Sequence, residues 1–147
     1  MSRPATVVRR VEDEAGRQRA YAIRTEVFVE EQAVPLELEL DEHDPTADHV
    51  LAYDGDEPVG TGRLVLEDGG GVAHLGRIAV RAGARGRGVG VALITALEQL
   101  GRERGAGTSL LGAQVQALGF YERLGYVAEG PEFDDAGIAH RWMRKAL

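Results

Sequence analysis

The stretch from His74 to Arg104 constrains this chain most. It reads HLGRIAVRAGARGRGVGVALITALEQLGRER. His74 to Arg81 carries β-branched Ile78 and Val80 and suits a strand. Between Ala82 and Gly90, glycine recurs at 83, 86, 88 and 90, which marks a loop. From Val89 to about Arg104 the apolar positions are 89, 93, 96, 97 and 100, one face of a helix. Strand, glycine loop and helix start together aim several backbone N–H groups at one point, an arrangement that receives an anion. Glycine lets the backbone approach a ligand because no Cβ intervenes. Arg85 and Arg87 add positive charge beside those amides. The stretch predicts a phosphate or pyrophosphate site at the helix N-terminus.

The 147 residues suit one domain, and 44% hydrophobic residues are enough to bury a core. The start, MSRPATVVRRVEDEAG, has no apolar core of a signal peptide. No apolar run approaches the ~20 residues of a spanning helix. A soluble cytoplasmic protein with no membrane partner is expected. The chain has no cysteine, which excludes disulfides, thiolate metal sites and a cysteine nucleophile.

Net charge is −7, which disfavours general binding to nucleic acid. The distribution is uneven. Thr25 to Gly62 has no Lys or Arg and holds 12 of the 24 acidic residues. Arg63 to Arg104 has seven arginines against four acids. One segment suits something cationic and the other something anionic, unless both are solvated faces.

The remaining elements follow from period and turn chemistry. Strands are expected at Thr6–Val11, His49–Tyr53, Val59–Leu66, Thr108–Leu111, Tyr126–Ala128 and Ile138–Met143. A helix from about Ala15 to Val29 and another from Gln114 to Leu124, ended by Gly125, complete the order β-α-β-β-β-α-β-α-β-β. Leu36, Leu38 and Leu40 alternate with Glu37, Glu39 and Asp41, which reads as extended. GPEFDDAG reads as a loop. The order describes an α+β sheet flanked by helices.

Two nucleotide signatures fail. The dinucleotide fingerprint needs a third glycine where Val91 stands. The P-loop spacing is met by Gly83 and Gly88, but Val89 and Gly90 follow in place of Lys and Ser or Thr. Arg85-Gly86-Arg87-Gly88-Val89-Gly90 instead resembles the Gln/Arg-x-x-Gly-x-Gly/Ala signature of the GNAT family, the GCN5-related N-acetyltransferases. Gln114, Ala117, Phe120, Tyr121, Leu124, Gly125 and Tyr126 resemble a second family segment, with Gln114 where many members have Asn. Arg24, Val27, Phe28, Val29, Glu31 and Gln32, then Glu39, Asp41, Asp44 and His49, resemble the ElaA-like and YjcF-like subgroup, as does the ending Gly137-Ile138-Ala139-His140.

The resemblance implies a GNAT fold over residues 1–147. That fold is a mixed, mostly antiparallel sheet of six to seven strands, splayed at the central acetyl-CoA-binding strands. It implies transfer of an acetyl group from acetyl-CoA to a primary amine. Amides of Arg85, Gly86, Arg87, Gly88, Val89, Gly90 and Val91 would hold the pyrophosphate. Main-chain groups of Ile78, Ala79 and Val80 would pair with the pantetheine arm, and Gln114 would touch it from the other side. Tyr121 would protonate the leaving thiolate. Without cysteine, direct transfer in a ternary complex is expected. The base is open among Glu31, Glu39, Asp41, His49, His74 and His140, with Glu31 and His74 foremost. Phe28, Glu31, Gln32 and His140 are expected at the acceptor. The acidic Thr25–Gly62 segment, placed on the acceptor side, suggests a cationic small-molecule amine. The Glu39–His49 spacing matches no standard metal site, so no metal is expected. Trp142 is core or a pocket wall. The alternative is a non-catalytic acyl-CoA-binding sensor or subunit. A homodimer is compatible with the sequence, which leaves the oligomeric state open.

Overall fold

The computed structural model describes residues 6–147. Met1–Ala5, which begin the segment tested above for a signal peptide, lie outside them. Seven strands form one sheet: β1 (Val7–Arg10), β2 (Asp48–Asp54), β3 (Glu57–Glu67), β4 (Val72–Val80), β5 (Thr108–Gln114), β6 (Val127–Asp135) and β7 (Ile138–Ala146). Their spatial order is β1-β2-β3-β4-β5-β7-β6. All neighbours are antiparallel except β4 and β5, which run parallel.

The parallel pair requires a crossover. Helix α3 (Val89–Glu103) supplies it and lies against one face of the sheet. Its Val89, Leu93, Leu97 and Leu100 pack with Val50, Ala52 and Leu64. Two strand glycines let it approach: a Cβ on Gly62 would stand 2.8 Å from Leu97 Cδ1, and one on Gly60 would stand 3.0 Å from Val89 Cγ1. Helix α1 (Glu14–Arg24) covers the opposite face, where Ala20 and Ile23 meet Leu51 and Ala79. Thus β2 buries Val50 and Ala52 one way and Leu51 the other, which explains its continuous apolar run. Asp13 caps α1 by accepting from the Gly16 N–H at 2.8 Å.

Several expectations need correction. The first helix does not run as one α-helix to Val29; it widens to a π-helix over Thr25–Glu31, where the Gln32 N–H reaches the Val27 carbonyl. Such wide turns shift side chains onto a new face. Leu36–Glu39 is a single helical turn, α2, and not extended. The alternation there is inverted: Leu36, Leu38 and Leu40 are exposed, while Glu39 is buried against Arg24. Gln114 ends β5, and the last helix, α4, spans only Leu118–Arg123. GPEFDDAG is no loop, since β6 runs on to Asp135 and pairs Phe133 with His140 across β7.

Candidate active site

The site begins where the central strands part. The β4–β5 ladder runs from Val72–Thr108 to Leu75–Leu111 and stops. Beyond it, β4 pairs only with β3, and Gly112 to Gln114 pair only with β7. Two strand edges therefore face a gap with unpaired main-chain groups. A cleft of ≈ 360 Å³ opens there. His74, Gly76, Arg77 and Ile78 of β4, Gly112 and Gln114 of β5, and Tyr121 of α4 line it. Phe28, Gln32 and Leu38 close it from the π-helix side, and Phe133, His140 and Trp142 from the β6–β7 hairpin.

The glycine loop ends beside this gap. Gly86 and Gly88 have φ of 78° and 81°, a left-handed backbone that side chains rarely adopt. Gly88 is the N-cap of α3, and the bond from the Ala92 N–H to the Gly88 carbonyl opens its ladder. The amides of residues 89–91 precede that bond and have no helical partner. Gly90 serves differently: a Cβ there would stand 3.2 Å from Phe120 Cζ. The two sequence motifs thus touch in space. Arg85 donates to Glu31 at 2.7 Å and Arg87 to Asp54 at 3.2 Å.

Two histidines reach the cleft. His74 Nδ1 lies 2.6 Å from a carboxylate oxygen of Glu67. His140 Nδ1 lies 2.7 Å from the Ile138 carbonyl. Neither partner can donate, so each Nδ1 carries the proton, which leaves Nε2 as the acceptor of the neutral tautomer. Tyr121 packs edge-on to Phe120 and Tyr126, with ring centroids 5.0 and 5.9 Å away. Burial alone pushes its phenol up to about 12. It is protonated at neutral pH and can donate but not accept a proton.

Other proposed residues stand elsewhere. Glu31 does not line the cleft; its carboxylate faces Arg85. His49 is interior, where its Nε2 donates to the Asp44 carbonyl at 3.0 Å, and burial pushes its pKa down. Gln114 does line the cleft, tied to Gln32 at 2.9 Å. Ala79 is buried in the sheet under α1.

Most of the acidic segment is not free charge. Glu39 binds Arg24 at 2.6 Å, Asp44 binds Arg24 and Arg63, and Asp41 binds Arg63 at 2.7 Å. Glu26 pairs with Arg81, and Asp48 with Arg104. The acid-rich and arginine-rich segments thus partly neutralise one another across the fold. Most of the acids that suggested a cationic acceptor are thus engaged by arginines.

Sequence reasoning missed Glu67, Arg63 and Arg77. Glu67 had a signal. Val65 pairs with His74 in the β3–β4 register, so Glu67 is a diagonal neighbour of His74 on the same face. Arg77 had none, because its aim depends on a bulge.

Comparison with known proteins agrees with this geometry. The Acetyltransferase (GNAT) domain family matches residues 10–147. The uncharacterized N-acetyltransferase YjcF of Bacillus subtilis (strain 168) is 46% identical over 127 residues, covering 86% of this chain and 89% of YjcF. Protein ElaA of Escherichia coli (strain K12) is 31% identical over 129 residues, covering 85% and 84%. The crystal structure of an acyl-CoA N-acyltransferase from Pseudomonas aeruginosa superposes with a TM-score of 0.85 at 26% identity, covering 97% of this chain and 100% of that one. A splayed seven-stranded sheet, a glycine loop at the start of the crossover helix and this match over nearly the whole length lead to one conclusion: the chain belongs to the GNAT family of acetyltransferases, in the group that holds YjcF and ElaA.

Proposed function

We propose that the protein acetylates a primary amine of a small molecule, with acetyl-CoA as donor, by direct transfer in a ternary complex. One observation carries this reading: the cleft between the parted strands holds both His74, a proton acceptor, and Tyr121, a proton donor. The coenzyme supplies the acetyl group as a thioester. The chain fits it in two places. Unpaired amides at the start of α3 suit a pyrophosphate. The free edge of β4 from Gly76 to Val80 suits the amide-bearing pantetheine arm, which adds like a strand.

The residues then divide the work. Neutral His74 Nε2 takes a proton from the attacking amine, with Glu67 holding the ring in that tautomer. A backbone N–H on the free edge of β4 donates to the acyl oxygen as it gains charge. The new C–N bond forms as the C–S bond breaks, and Tyr121 gives its proton to the departing sulfur. No acyl-enzyme forms through cysteine, because the chain has none.

The test is release of free thiol from acetyl-CoA with a panel of primary amines. Tyr121→Phe and His74→Gln should each lower kcat by about 10²–10⁴ while the thermal shift on adding CoA persists. If CoA stabilises the protein but no amine releases thiol, the protein binds acyl-CoA without catalysis.

A further inference from the structure

The acceptor half of the cleft has a wall of rings and a floor of charge. In the wall, His74 meets Trp142 edge-on at 5.5 Å, Trp142 stacks on Phe133 at 4.9 Å, and Phe133 stacks on His140 at 5.7 Å. In the floor, Arg24, Arg63 and Arg77 face Glu39, Asp41 and Asp44. Arg24, Glu39 and Asp44 are sealed beneath the surface, whereas the Arg77 side chain is 25% exposed and lines the cleft.

The backbone is bent to present Arg77. Residues three apart on a regular strand point to opposite faces. Here the β3–β4 register slips between Thr61 and Arg63, and Arg77 has φ of 51°. A bulge of this kind re-aims a side chain. It brings Arg77 onto the face that carries His74, roughly 10 Å along the strand. A non-glycine residue is rarely held in this left-handed region and stays there only where its surroundings impose it.

The guanidinium is only partly engaged. Its Nε donates to the Glu39 carbonyl at 3.1 Å, and its Nη2 to Asp41 at 3.2 Å and the Leu38 carbonyl at 3.4 Å. Among the described residues Nη1 has no partner. The nearby carboxylates are already bound: Glu39 to Arg24, and both Asp41 oxygens to Arg63. Burial and then the charges of Arg63 and Arg24 hold the Arg77 pKa below its usual value. Nη1 therefore keeps its N–H donors for an anion in the cleft. The three arginines and three carboxylates sum to zero, so one negative charge is a better match than a phosphate dianion.

We propose that the acceptor is a primary amine bearing a carboxylate, with Arg77 Nη1 holding that carboxylate and the amine lying at His74. Arg77 is then a specificity-determining residue. This rests on the acyltransferase reading, and the experiment separates the two. N-acetylglycine, N-acetyl-β-alanine and N-acetyl-γ-aminobutyrate stand in for products. Each is titrated calorimetrically against its own carboxamide, with and without CoA, alongside N-acetyl-phosphoethanolamine. The best carboxylate should bind about ten- to a hundredfold more tightly than its amide, the size of one hydrogen bond to a charged group. The preference should fall to near unity in Arg77→Gln and be partly kept in Arg77→Lys. Equal binding of acid and amide by the unaltered protein, no binding of any acid, tighter binding of the phosphate compound, or a preference unchanged in Arg77→Gln each overturns the proposal. Should Arg77→Gln fail to fold, the acid–amide ratio of the unaltered protein decides. Absence of a thermal shift with CoA counts against the acyltransferase reading alone.

Discussion

Burial decides what Tyr121 can do, and pairing decides the same for Glu31. Both residues were visible in the sequence as candidates for proton transfer. Tyr121 lines the cleft with its phenol protonated, as the proposed proton donation requires. Glu31 has the right chemistry in another place, 2.7 Å from Arg85 at the loop expected to hold pyrophosphate. On the proposed reading of that loop, the carboxylate competes with the phosphates for the same guanidinium. Glu31→Gln should therefore tighten CoA binding by about two- to fivefold, the size of an exposed ion pair, and increase its dependence on salt because Arg85 is freed. Calorimetric titration at two ionic strengths measures both. Weaker binding in Glu31→Gln would show that the carboxylate helps the donor site. Side-chain identity is legible one residue at a time; its partner is not, since Glu31 and Arg85 lie 54 positions apart.

At the scale of elements, the glycine loop and α3 were legible because their pattern is local. Period 3.6, glycines at left-handed positions and the strand before them need no distant contact to be read. The single turn of α2 was misread because its leucines alternate while facing solvent, and the buried residue of the stretch is Glu39. An ion pair with Arg24, fifteen residues away, decided the orientation. The contact of Gly90 with Phe120 is likewise tertiary, and it joins α3 to the helix that carries Tyr121. Gly90→Val should lose about 1–3 kcal/mol of stability and lower kcat, since Phe120 must move beside Tyr121. Gly83→Ala should change stability by no more than about 0.5 kcal/mol, because nothing lies within 4 Å of the added methyl. Denaturant melts of the two variants and one activity assay compare them.

Across the whole molecule, the charge map folds onto itself. Most acids of 25–62 meet the arginines of 24 and 63–104 in pairs, several of them buried. Burial would raise the Asp44 carboxyl, but the Arg24 guanidinium and the Asp41 N–H hold it well below the usual carboxylate range. A depressed carboxyl stabilises the fold above its unfolded value of ~3.9 and loses that contribution as pH falls. His49 acts in the same direction at higher pH. It is buried and its pKa is pushed down, so below ~6.5 the unfolded chain takes a proton that the folded chain does not. The melting temperature should begin to fall below about pH 6.5 and fall more steeply below about pH 4. His49→Gln should flatten the upper limb. A melting temperature constant from about pH 7 to pH 4 would contradict the role of His49, and one constant from about pH 4 to pH 2 that of Asp44.

The sequence by itself determined what is local or periodic: the strand–loop–helix that suits a pyrophosphate, the elements of the sheet and the two motifs of an acetyltransferase. Period and turn chemistry act within a few residues, so they can be read without the fold. Tertiary structure alone decided which charges are free. It paired most of the acid-rich segment with arginines, set Glu31 against Arg85 and outside the cleft, put Glu67 behind His74 and aimed Arg77 into the cleft. Those outcomes depend on strand register, a bulge and pairings across tens of residues, where Coulomb attraction and burial act on whatever the fold brings together.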